Sequence, residues 1–63
     1  MAGFKTLNSD YYVNTKEKKV SGGKLGSEPK EYIEAIVIVG SPALFHFKDG
    51  SFMRTSDVCG YIM

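Results

Sequence analysis

Ala43-Leu44-Phe45-His46-Phe47-Lys48-Asp49-Gly50-Ser51-Phe52-Met53-Arg54 reads as two strands joined by a tight turn, and the fold is built outward from it. In an extended chain Ala43, Phe45 and Phe47 share one face, while Leu44, His46 and Lys48 share the other. Asp-Gly between alternating apolar runs predicts a two-residue hairpin in which both central residues take positive φ. Ser51 to Arg54 is the expected return strand.

Upstream lies Tyr32-Ile33-Glu34-Ala35-Ile36-Val37-Ile38-Val39, closed by a Gly40-Ser41-Pro42 turn. Its run of β-branched residues argues for a strand, because such side chains are restricted in a helix. Ile33, Ala35, Val37 and Val39 fall on one face; Tyr32, Ile36 and Ile38 fall on the other with Glu34. Both faces are apolar, so the strand is central or meets a partner. A rival reading makes the fold α+β, with one short helix near residues 28–33 capped by Ser27 and holding Pro29 in its first turn.

Further out, Phe4 to Leu7 and Tyr11 to Thr15 carry strand patterns separated by the turn-forming Asn8-Ser9-Asp10. Lys16-Glu17-Lys18 is the next turn, and Lys18 to Ser21 returns. Gly22 to Lys30 has the composition of a flexible, glycine-rich loop. Thr55-Ser56-Asp57 breaks the pattern before a last strand, Val58 to Ile62. Roughly five to seven short strands predict a single mostly β domain over 1–63, a small antiparallel barrel or curled sheet. A tight turn near Ser56 favours an SH3-like barrel.

Composition narrows the function classes. The chain has 63 residues, 43% of them hydrophobic and 13% aromatic, which suits a globular domain. A chain this short buries only about 60% of its unfolded surface, so a partner subunit is a natural source of stability. Cys59 is the only cysteine and His46 the only histidine, which rules out an internal disulfide and a Cys/His zinc cluster. A formal net charge of +1 gives no electrostatic case for nucleic acid or acidic lipid as the main partner. The start, Met1-Ala2-Gly3-Phe4-Lys5, lacks the pattern of a secretory signal, and no apolar run approaches the roughly 20 residues of a membrane helix. An unpaired cysteine fits a reducing compartment, so a cytoplasmic location is expected.

Two stretches carry a resemblance. Thr6-x-Asn8-Ser9-x-Tyr11-x-Val13 and Gly50-x-x-x-Arg54-Thr55-Ser56-x-Val58-x-x-Ile62 resemble segments of short β-rich proteins encoded by phages and prophages, a group with no assigned activity. In that group a comparable pair of N-terminal strands and a Thr-Ser-x-Val segment flank a variable middle. The resemblance implies an accessory factor that acts on a host component, within the host cytoplasm.

Candidate sites follow by residue type. His46 and Cys59 are the sole catalytic pair on offer, and nothing in their spacing links them; His46 is expected on a partly exposed face and Cys59 as a small core residue. Asp10, Asp49 and Asp57 sit in turn contexts where aspartate caps its own backbone. No catalytic residue, metal site or cofactor is expected. Gly22, Gly23 and Lys24 form an anion-loop candidate, since glycine amides beside a lysine can cradle phosphate, though the P-loop spacing is absent. Tyr11 and Tyr12 with Lys18 and Lys19 form a candidate nucleic-acid face, joined by Lys16 and Lys24. Ile36, Ile38, Leu44 and Phe52 form a candidate interface, an apolar excess beyond what one small core covers.

The leading expectation is therefore a non-enzymatic binding protein that works by protein–protein contact as a homo-oligomer. The resemblance makes it a phage-encoded modulator or inhibitor of a host protein. The alternatives are a small barrel that binds single-stranded nucleic acid and an oligomeric sponge for small nucleotide signals.

Overall fold

The computed structural model describes residues 2–63, and its chain is a closed six-stranded antiparallel barrel. The strands are β1 (Gly3–Thr6), β2 (Asp10–Asn14), β3 (Lys19–Gly22), β4 (Lys30–Ile36), β5 (Pro42–Phe47) and β6 (Phe52–Ile62). Each pairs with its neighbour in sequence, and β6 closes the ring on β1. A single 3₁₀ turn spans Gly23–Leu25. The helix considered near residues 28–33 does not form; Lys30 onward is strand, as the β-branched run demands.

So narrow a barrel is filled by its own side chains. Alternation sends Tyr11 and Val13 inward from β2, and Ala43, Phe45 and Phe47 inward from β5. Aromatic rings form the spine of the core. Tyr11 stacks on Phe4 at 5.1 Å, Phe4 on Phe45 at 5.9 Å and Phe45 on Phe47 at 6.2 Å, while Tyr32 meets Phe45 edge-on at 5.4 Å.

Three irregularities shape the barrel, and each corrects an expectation. The first is in β4. Tyr32 pairs with Phe47 and Glu34 with His46, so Ile33 is an extra residue. Such a bulge reverses which face the following side chains take. Tyr32 therefore points inward, whereas Glu34 and Ile36 lie on the outer surface and do not share its face. The strand also ends at Ile36 instead of Val39.

The second is in β6. Thr55-Ser56-Asp57 does not break the strand; β6 runs continuously through it. Pro42 pairs with Asp57 and Leu44 with Arg54, so the polar triplet absorbs one extra residue as a bulge. The buried Thr55 hydroxyl accepts the Ala43 amide at 3.0 Å and donates to the Ser56 carbonyl at 2.8 Å. These are the local backbone bonds Thr and Ser favour. A second shift leaves Cys59 unpaired between Gly60, opposite Lys5, and Val58, opposite Thr6. The bends let one strand serve β5 with its first half and β1 with its second. The tight turn expected at Ser56 is thus a bulge, and the barrel closes as a six-stranded meander.

The third is the β5–β6 turn. The Gly50 amide donates to the Phe47 carbonyl at 3.0 Å, and the Phe47 amide donates to Ser51 at 2.8 Å. Gly50 has φ 91°, while Asp49 does not take positive φ. The loop is therefore three residues, Lys48-Asp49-Gly50, with glycine in the left-handed position, instead of the two-residue form expected.

Asp49 anchors that turn. Its Oδ1 accepts from the Ser51 hydroxyl at 2.6 Å and the Ser51 amide at 2.9 Å, and Lys30 Nζ lies 3.2 Å from Oδ2. The Ser51 hydroxyl foremost, with the Ser51 amide and Lys30, pulls the Asp49 carboxyl down to about 2. A carboxyl held below its unfolded value, about 3.9, stabilises the fold fully above that pH and loses the contribution as pH falls toward about 2. Melting temperatures measured from pH 5 down to 2 should show this loss in the native chain and a shallower one in Asp49→Asn. Parallel curves for the two would remove Asp49 from the acid response.

Candidate interaction face

The outer face of β4, β5 and β6 follows from the registers just described. Glu34, His46 and Phe52 lie side by side in one cross-strand row; Ile36, Leu44 and Arg54 form the next. Ile38 and Pro42 extend the surface beyond the second row, beside Ile36 and Leu44. The four apolar residues singled out from sequence are brought together here and face outward. Phe52 is 74% exposed, Ile38 57%, Ile36 54% and Leu44 45%.

The face is a shallow groove of about 400 Å³ that continues into a neighbouring hollow of about 300 Å³ at Ile38 and Pro42. His46 stacks on Phe52 at 4.2 Å with the rings 14° from parallel, which fixes the groove's upper row. Glu34 Oε1 approaches His46 Nδ1 at 3.9 Å, and the Glu34 side chain remains 80% exposed. Among the described residues Arg54 makes no ion pair.

The remaining candidates are dispersed. Tyr11 is not on a surface platform: it is buried, and its hydroxyl accepts the Lys24 amide at 3.3 Å. Only Tyr12 stays exposed, with Lys19 held 3.6 Å from Glu17 and Lys18 committed to the β2–β3 turn at φ 54°. Tyr11 is thus removed from the candidate nucleic-acid face, while Tyr12 stays exposed on the hollow that Lys19 also lines.

The anion-loop residues are likewise engaged. The Gly22 amide donates to Gly26, the Lys24 amide to Tyr11, and Lys24 Nζ to the Arg54 carbonyl at 3.0 Å. Two of the three candidate amides, those of Gly22 and Lys24, are thus spent on bonds within the chain. Cys59 is exposed, not a core residue, because the β6 bulge turns it out; its thiol lies 3.8 Å from the Asp57 carbonyl. His46 is on the groove, partly exposed as expected. Asp10 and Asp57 lie in strands instead of turns. Among the described residues no three His, Cys, Asp or Glu side chains could hold a metal ion, and no helix is long and apolar enough to cross a membrane.

Fold and face together define a small meander barrel whose interior is full and whose outer surface carries a continuous apolar patch. No family model, curated protein or solved structure matches the chain.

Proposed function

We propose that this chain is a non-enzymatic binding protein that works by protein–protein contact through the outer face of β4, β5 and β6. The observation that carries the reading is Ile36, Ile38, Leu44 and Phe52 exposed on one surface while nine other apolar side chains fill the core. The ring of strands leaves little free edge, chiefly the β3-facing side of β4 beyond Tyr32, so the reading rests on a partner covering this face.

The occupant is a second copy of the chain. Covering about 400 Å² of apolar surface contributes on the order of 10 kcal/mol before the entropy of association is subtracted. That gain suits a 63-residue chain with one cysteine and so no internal disulfide. The resemblance to phage and prophage proteins supports a wider role: a homo-oligomeric modulator or inhibitor of a host protein, acting in the host cytoplasm.

Leu44→Lys tests the contact. Leu44 sits mid-face with its side chain in solvent, so the variant should keep the native circular dichroism spectrum. Light scattering after size exclusion should give at least twice 7.0 kDa for the native chain and 7.0 kDa for the variant. A native chain that is monomeric at high micromolar concentration would end this reading.

A further inference from the structure

Within the two rows at the centre of the outer face of β4, β5 and β6, Glu34 is the one full negative charge and Arg54 the one full positive charge, and they sit at opposite corners. Glu31, paired with Lys48, and Asp57, opposite Pro42, lie beyond the rows at either end. Glu34 ends the first row on β4; Arg54 ends the second on β6. With strands about 4.8 Å apart and same-face residues about 6.7 Å apart along a strand, the two backbone positions are separated by about 12 Å. Between them lie Ile36, Leu44, His46 and Phe52.

When two copies of one face meet, the two-fold axis lies in the plane of contact and each position is matched to its mirror position. An axis along the strands would set Glu34 against the partner's Phe52. An axis across the strands would set it against the partner's Ile36. An axis along the Glu34–Arg54 diagonal would set each charge against its own copy. Only an axis perpendicular to that diagonal matches Glu34 with the partner's Arg54, and it does so twice. The same rotation lays the Ile36/Leu44 pair on its copy and the His46/Phe52 stack on its copy.

Resting on the contact reading above, we propose that the chain forms a two-fold dimer through this face in which Glu34 of each copy pairs with Arg54 of the other. Both groups are free to do so. Glu34 makes only the 3.9 Å approach to His46 through Oε1, leaving Oε2 for a guanidinium, and Arg54 has no carboxylate partner among the described residues. The apolar centre supplies affinity. The charged corners select this orientation over the others, because like charges set opposite each other are strongly unfavourable.

Charge reversal tests the pairing. In Glu34→Arg alone, both corners of the face become positive, and in Arg54→Glu alone both become negative. Each variant should therefore dimerise about 100-fold more weakly than the native chain or worse. Mixed in equal amounts they should recover, because every introduced charge meets its opposite on the other variant. Native mass spectrometry should show the heterodimer far above either homodimer, and the double variant E34R/R54E should dimerise like the native chain. If each single variant dimerises as tightly as the native chain, or the mixture stays monomeric, the pairing is wrong. Loss of the dimer in Leu44→Lys together with intact dimers in both charge variants would overturn this orientation alone. A monomeric native chain would instead overturn the contact reading beneath it.

Discussion

Phe45→Ala is expected to leave the chain largely unfolded at room temperature. Phe45 is 1% exposed, and its ring touches those of Phe4, Phe47 and Tyr32, so it joins both halves of the barrel. Truncating a buried phenylalanine costs about 3–5 kcal/mol, part of it from the cavity that the neighbours cannot close. A single core of this size supplies about 3–5 kcal/mol in total, so the loss matches the reserve. Circular dichroism and amide chemical-shift dispersion would report it. A cooperative melt within a few degrees of the native chain would mean that the aromatic spine is not the centre of stability.

The same residue shows what the sequence discloses and what it withholds. Alternation over Ala43 to Phe47 names Phe45 as core without any structure, because a strand has only two faces. The faces of the return strand depend on turn length, which composition leaves open. A two-residue Asp49-Gly50 loop would set Leu44 opposite Thr55 and send Met53 outward. The three-residue loop slides the pairing by one, and a slip of one residue exchanges the faces. Phe52 and Arg54 thereby reach the outer surface beside Ile36 and Leu44.

Bulges are the other hidden variable. Nothing about Ile33 as a residue type announces that it is unpaired, yet its insertion turns Glu34 and Ile36 outward. Apolarity on both sides of this segment was legible; the crossing of one strand from core to surface was not. Thr55-Ser56-Asp57 gave a real signal, a competition between side chains and backbone ladder, but the structure resolves it as a bulge within β6. The candidate interface was legible because exposed isoleucine, leucine and phenylalanine stand out by type. Glu34 and Arg54 do not, since their meaning lies in which corner of the face the registers assign them. Tyr11 was misplaced for a related reason: Tyr11 and Tyr12 are equivalent by type, and only the parity of β2 decides which is buried.

The glycines after β3 give the second large effect. Gly23 has φ +45°, and a Cβ built on it falls against the Tyr11 ring, 2.6 Å from both Cε1 and Oη. That ring cannot swing aside, because it is stacked on Phe4 at 5.1 Å and its hydroxyl is bonded to the Lys24 amide. The absence of a side chain at Gly23 thus lets the 3₁₀ turn lie flat across the end of the core, with Leu25 partly buried against it. Gly23→Ala should lose about 2–4 kcal/mol, combining the strain of positive φ with overpacking of a filled core. Gly26→Ala separates the two contributions. Gly26 also has positive φ, at 73°, but nothing lies within 4 Å of its Cβ position, so it carries the backbone strain alone. Urea denaturation should therefore place the midpoint of Gly23→Ala clearly below that of Gly26→Ala. Equal midpoints would mean that the turn lifts off Tyr11 at no cost, and that the glycine at position 23 serves backbone conformation only.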